Sequence, residues 1–163
     1  MPEKSKKHPP KPNSSAERAF NTAENAIRAA GTARAALPAI APGKVWNHKA
    51  PRGEHEIKGA LNLNHEPVIM LRFSPADGSL LPKGLHGLNK STPETVALVE
   101  ERLKEIALEL VVLDGAEFRE PEFCWSLPIA HQGRIVADIK VSADGKTIVP
   151  NRKAAEELEL LGL

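Results

Sequence analysis

The sequence predicts an α+β fold, a single small domain in which a mainly antiparallel sheet of about five strands packs against one long helix. Two observations support this prediction. Residues 54–149 contain short segments with apolar residues at every second position, a spacing typical of half-buried strands. Residues 93–110 repeat apolar residues at helical spacing instead. A basic N-terminal arm with an alanine-rich helix precedes this body.

The arm divides into three parts. Residues 1–14 are polar and basic, and we expect them to be disordered because they cannot bury enough apolar surface. Residues 15–37 predict a helix that is capped by Ser14 or Ser15, contains nine alanines and stops before Pro38. Residues 38–53 are punctuated by proline and glycine and predict a linker to the body, which spans residues 54–163.

The body begins with a predicted β-hairpin. Residues 54–61 alternate, with Ile57, Gly59 and Leu61 on one face and Glu56 and Lys58 on the other. Residues 67–74 are apolar on both faces, which favours a central strand. The intervening residues 63–66 form the turn.

A loop and a strong helix follow the hairpin. The loop, residues 75–91, is long for a small domain, and such loops are often functional, so Lys83, His86 and Lys90 are candidate binding residues. Thr92 caps the next helix and Pro93 takes its first position. The predicted buried face of that helix consists of Val96, Val99, Leu103, Ile106 and Leu110.

The last third of the chain predicts three more strands and a short helix. Residues 123–127 and 134–142 alternate as strands, and residues 143–146 form a hairpin turn into residues 147–149. Residues 152–161 close the chain as a helix. The single cysteine, Cys124, neighbours apolar strand residues and is expected to be an inert thiol.

Charge is divided unevenly along the chain. Residues 1–52 hold ten Lys and Arg against three Glu, a net charge of +7, whereas residues 53–163 hold twelve basic against eighteen acidic residues, a net charge of −6. The formal +1 of the whole chain conceals this division. The arm is therefore expected either to engage something outside its own domain or to lie across its own acidic face.

Several protein classes are disfavoured by composition. We find no apolar run long enough for a membrane span and no secretory signal, and one cysteine excludes an internal disulfide framework. A cytoplasmic location is the expectation. Aromatic residues amount to only 4% of the chain, which is poor material for a base-stacking surface.

One constellation suggests catalysis. Pro121-Glu122 precedes a predicted strand, and Asp138-Ile139-Lys140 lies within the next. This order resembles the metal site of PD-(D/E)xK nucleases, with Glu in place of the first Asp. The resemblance implies that Glu122 and Asp138 bind Mg²⁺ and that Lys140 positions the attacking water.

Strand register separates that hypothesis from a structural alternative. In one register Glu122 lies opposite Asp138, with residues 128–132 as the loop, and the facing carboxylates need a cation. In the other register Glu122 lies opposite Lys140 as an ordinary ion pair. We favour the second register.

The sequence therefore favours a non-enzymatic binding or accessory protein over a divergent metal-dependent nuclease or phosphodiesterase. Its basic arm would dock on a protein complex or another acidic partner, with nucleic acid as an alternative partner and no membrane involved. Without metal chemistry no cofactor is expected. The candidate partner-binding residues are Lys4, Lys6, Lys7, Lys11, Phe20, Ile27, Trp46, Lys49 and Arg52.

Overall fold

Two antiparallel sheets form the framework of the protein, and they confirm the α+β class. The computed structural model describes residues 18–49, 53, 55–85 and 92–163. The first sheet has the order β1-β2-β3, with β1 at Ala41–Lys49, β2 at His55–Leu63 and β3 at Glu66–Phe73. The second has the order β4-β6-β7-β8, and β5 also pairs with β6. Its strands are β4 (Leu110–Val112), β5 (Glu117–Arg119), β6 (Cys124–His131), β7 (Arg134–Ser142) and β8 (Ile148–Val149).

The helices differ from the prediction of a single long helix packed against the sheet. Within the described residues, α1 spans Ala23–Ala36, α2 spans Pro93–Ala107 and α3 spans Arg152–Leu160, and a short 3₁₀ helix follows α1 at Leu37–Ala39. The predicted cap of α2 is confirmed, because Thr95 N donates to Thr92 Oγ1 at 3.1 Å. The expected caps of the first helix, Ser14 and Ser15, lie outside the described residues, and Thr22 caps α1.

The predicted linker at residues 38–53 is wrong, because most of it is strand β1. The strand includes Pro42, which is tolerated because β1 is the edge strand of its sheet and its pairing is irregular between Pro42 and Val45. Gly43 lies so close to β2 that an added Cβ would stand 2.7 Å from the Asn62 amide. Proline and glycine therefore mark an edge and a close approach here, and they do not mark a flexible connection.

The first hairpin has the predicted turn and a different order of strands. Asn64 and His65 both adopt positive φ, as a two-residue turn between twisted strands requires. However, β3 is not central: β2 lies between β1 and β3. The strand count also exceeds five, since the described residues form eight.

The segment from Leu80 to Lys83 connects the two sheets. Leu81 N donates to Arg72 O of β3 at 2.8 Å, and Lys83 N donates to Ile135 O of β7 at 2.9 Å. Part of the predicted long loop thus lies beside both sheets, whereas His86 and Lys90 fall outside the described residues.

In the long strands β2, β3, β6 and β7 the odd-numbered side chains face the core, and the even-numbered side chains lie on the opposite face of the two sheets. The fully buried side chains of the core include Ile57, Leu71 and Phe73 from the first sheet and Leu127 and Ile139 from the second. Helix α2 contributes Val99, Leu103 and Ile106, which confirms most of its predicted buried face. Val96 is only partly buried, and Leu110 is buried in β4 and not in the helix.

Helix α1 packs on the same core through alanine. Ala29, Ala30 and Ala33 are buried, and their small side chains allow the helix to come very close to the β7–β8 hairpin. Gly145, with φ of +77°, marks that contact, because an added Cβ would lie 2.8 Å from Asn25 O. Arg28 donates to Asp144 O at 3.0 Å. The alanine-rich helix is therefore part of the body.

Candidate functional site

The even-numbered face of the sheets is half covered and half open. Helix α3 lies over the first sheet, where Ala154 and Leu158 pack against Trp46, Ala60 and Met70. Over β6 and β7 the same face borders an open cleft of about 640 Å³. We call this feature the cleft.

Charged side chains from five parts of the chain converge on the cleft. Its basic residues are Arg72, Lys83, Lys140, Arg152 and Lys153. Its acidic residues are Glu122, Asp138 and Glu156. The three residues of the nuclease-like constellation and the loop candidate Lys83 thus lie in one site. Of the arm candidates, the four that the structure describes, Phe20, Ile27, Trp46 and Lys49, do not line it.

Each carboxylate of the constellation has its own lysine. Lys140 Nζ donates to Glu122 Oε2 at 2.6 Å, and Lys83 Nζ donates to Asp138 Oδ2 at 3.1 Å. Ser126 Oγ donates to the same oxygen of Asp138 at 3.0 Å. The structure therefore contains the ion pair between Glu122 and Lys140 that the favoured register called for.

Neither proposed register produces that ion pair. Ser126 lies opposite Lys140 and Pro128 opposite Asp138, while Glu122 reaches Lys140 from the turn before β6. The loop at residues 128–132 that belonged to the first register is also wrong, because β6 continues to His131. Gln132 and Gly133, both with positive φ, turn the chain in two residues. Gly133 was the signal for this tighter hairpin.

Electrostatics keep Asp138 ionised and Cys124 protonated. Burial alone would raise the pKa of Asp138, but hydrogen bonds from Lys83 and Ser126 outweigh it and lower the pKa below its ordinary value. Burial raises the pKa of the Cys124 thiol, and the nearby Glu122 carboxylate raises it further. A thiol held protonated is a poor nucleophile.

The cleft's chemistry suits ion pairing better than metal binding. No group of three or more His, Cys, Asp or Glu in the part of the chain that the structure describes is placed to hold a metal ion. In a two-carboxylate magnesium site both carboxylates face one cation. Here Glu122 and Asp138 face different lysines.

The predicted partner residues fall in different places. Trp46 is buried, and its Nε1 donates to Glu157 Oε1 at 2.9 Å. Phe20 packs edge-to-face on Phe123 with ring centroids 5.3 Å apart. Ile27 is 73% exposed on α1, and Lys49 is exposed at the end of β1. The remaining candidates, Lys4, Lys6, Lys7, Lys11 and Arg52, lie outside the described residues.

Sequence reasoning missed a buried ionic cluster under α3. Lys58 Nζ donates to both oxygens of Glu157, at 2.8 and 3.1 Å, and its side chain is 1% exposed. Glu56 is also buried, and its Oε1 lies 3.3 Å from Arg72 Nε. Glu56 and Lys58 thus share a face of β2 that α3 covers, and both side chains are buried. The residue pattern of β2 does not indicate that a helix packs over this face.

The buried pair shifts two pKa values. Burial lowers the pKa of Lys58, although the hydrogen bond to Glu157 opposes the change. Burial alone would raise the pKa of Glu157, but hydrogen bonds from Lys58 and Trp46 outweigh it and lower that pKa. Lys58 and Trp46 thus favour the ionised form of Glu157.

Comparison with known proteins provides no family and no functional analogue. No protein-family model matches the chain, and neither the curated proteins nor the solved structures contain a match. None of the helices in the described ranges is long and apolar enough to cross a membrane.

Proposed function

We propose that this protein is a non-enzymatic binding or accessory protein whose basic N-terminal segment docks on an acidic partner, with a protein complex as the favoured partner. The observation that supports this proposal is the separation of roles within the arm. Helix α1 and strand β1 belong to the folded body, so the docking role falls to residues 1–17. That segment carries Lys4, Lys6, Lys7 and Lys11 within eight positions.

The contacts made by the folded part of the arm favour assigning the docking role to residues 1–17. Arg28 and Arg34 are engaged locally, since Arg28 pairs with Glu24 and Arg34 with Asp114 of the body. Trp46 is engaged by Glu157. By contrast, Ile27 is exposed on the outer side of α1, and Lys49 is exposed on β1. These two residues could extend a contact that begins at the lysine segment.

A metal-dependent nuclease is the weaker candidate function. It is supported by the convergence of Glu122, Asp138 and Lys140 in one cleft. The ion pair between Glu122 and Lys140 argues against it, because a lysine already occupies the place that the cation would take beside that carboxylate. Docking through the basic residues 1–17 requires no rearrangement of the cleft.

The test of the docking role uses a truncation that the fold permits. Removing residues 1–37 would delete the buried alanines of α1 and unfold the body, so we choose a chain that begins at Arg18. Tagged full-length and truncated chains are compared by affinity purification and quantitative mass spectrometry. We expect the truncation to lose its specific partners while the circular dichroism spectrum shows a folded body.

Two matched variants separate the effect of the charge of residues 1–17 from the effect of shortening the chain. The first changes Lys4, Lys6, Lys7 and Lys11 to Gln. The second changes Lys44, Lys104, Arg134 and Lys146, all exposed on the body, to Gln. We expect only the first to lose the partner, by about tenfold or more at low salt. An unchanged partner set in the truncation, or equal losses in both variants, would refute the docking role.

A further inference from the structure

The cleft has the dimensions of a small-molecule site. Its volume of about 640 Å³ falls within the ordinary range for such sites, roughly 300–1,000 Å³. Met70 and Val136 give it an apolar part, whereas the charged side chains surround that part. A site with both features can hold an organic molecule that has an apolar body and a charged group.

The charges of the cleft favour an anion. Five basic and three acidic residues line the cleft, and the buried Glu56 neutralises Arg72, so one positive charge is in excess. Arg152 and Lys153 are exposed and make no ion pair with any residue in the described ranges. Lys140 is paired with Glu122 at the surface, and an exposed pair of this kind is weak enough to exchange its partner for a ligand.

The positions of Arg152 and Lys153 are unfavourable for the fold itself. Both lie in the first turn of α3, which contains no acidic residue, and cations there oppose the helix dipole. Lys153 also repels the buried Lys58. A bound anion would offset both repulsions, whereas a purely structural role gives no reason for two cations at these positions.

We propose that the cleft binds a small organic molecule that bears a phosphate group, held by Arg152, Lys153 and Lys140, with its apolar part against Met70 and Val136. Arg152 and Lys153, the two cations of the cleft without an ion pair in the described ranges, match the charge of a phosphate monoester, about −1.5 to −2 near neutral pH. The planar guanidinium of Arg152 is suited to two oxygens of one phosphate. This site is separate from the basic-segment proposal and does not depend on it.

Phenyl phosphate is a suitable probe because it combines an apolar ring with a phosphate. It is titrated into the ¹⁵N-labelled full-length chain at constant ionic strength, with benzoate as the carboxylate counterpart. We expect saturable chemical-shift changes centred on the amides of Asp138, Lys140 and Lys153, and affinity for benzoate lower by about tenfold or more. Shifts that do not saturate, shifts centred elsewhere, or equal affinity for benzoate would overturn the proposal.

Two double variants distinguish a site from general electrostatic attraction. Arg152→Gln with Lys153→Gln removes the free cations of the cleft. Lys44→Gln with Arg134→Gln removes one lysine and one arginine from exposed positions outside it. We expect the first to weaken binding of phenyl phosphate by about tenfold or more and the second to leave it unchanged. Equal weakening in both, or none in the first, would refute the site. All the substituted residues are exposed, and the circular dichroism spectra check that both variants fold.

Discussion

The covered and open halves of the even-numbered face use the same chemistry in different surroundings. Under α3, Lys58 and Glu157 have side chains that are 1% and 10% exposed. In the cleft, Lys140 and Glu122 are 25% and 47% exposed. Both lysines stand at even positions of β-strands and both donate to a glutamate, and Lys58 also lies 3.7 Å from Glu56 Oε1. The comparison teaches that the helix above the strand, and not the residue types, decides whether an ion pair is structural or available.

Burial affects the cost of removing one partner of an ion pair more than it affects the net stability that the intact pair contributes. A charge left without its partner away from water carries the full desolvation cost. An exposed charge left without its partner is solvated by water instead. Substituting one residue of the covered pair should therefore lower the free energy of unfolding far more than the same substitution in the open pair.

The largest effect is expected for Lys58→Met. The substitution leaves Glu157 buried without its lysine, and we expect it to lower the free energy of unfolding by roughly 3–5 kcal/mol. The measurement is urea denaturation followed by circular dichroism. Adding Glu157→Gln removes the stranded charge and keeps an oxygen for Trp46 Nε1, so the double variant should recover most of the loss. A double variant no more stable than Lys58→Met would show that the charge of Glu157 is not the cause.

The contrast between the halves also explains which parts of the structure the sequence could predict. Periodicity located β2, β7 and α2 well because each has regularly spaced apolar residues on its core face and a clear cap or turn. It failed at β1, where Pro42 and Gly43 indicated a linker, since edge pairing and the contact with Asn62 are properties of the assembled sheet.

The candidate site shows the same limit. Sequence spacing brought Glu122, Asp138 and Lys140 together, and the structure places all three in the cleft. Spacing could not identify Arg72, Arg152 or Lys153 as their neighbours, because these residues come from β3 and α3. Nor could it reveal that Lys58 is buried, since that depends on where α3 packs.

The second prediction concerns acid stability of the covered half. The native pKa of Glu157 lies below its ordinary value of 4.5, so its stabilisation is complete above about pH 4.5 and is lost as pH falls through the native pKa. Below pH 4.5 the wild-type unfolding free energy should therefore fall more steeply than that of the Lys58→Met, Glu157→Gln variant. One carboxyl group limits the difference in slope to about 1.4 kcal/mol per pH unit.

Other carboxyl groups do not obscure this comparison. Hydrogen bonds from Ser79 and Ser142 lower the pKa values of Asp77 and Asp144, and Lys83 and Ser126 do the same for Asp138 against the effect of burial. All three remain in both proteins, so their contributions cancel in the difference. Parallel acid limbs would mean that Glu157 does not carry a lowered pKa, and the electrostatic account of the covered half would fail.

The smallest effect is expected for Lys140→Met in the open half. Glu122 keeps access to water when its partner is removed, and surface pairs contribute about 0–1 kcal/mol, so unfolding in urea should shift by less than about 1 kcal/mol. Glu122→Gln, the other half of the same pair, should give an equally small change. These variants are matched to Lys58→Met in residue type, strand position and substitution. If Lys140→Met cost as much as Lys58→Met, exposure would not distinguish the two pairs, and the argument that Lys140 is free to exchange Glu122 for a ligand would lose its basis.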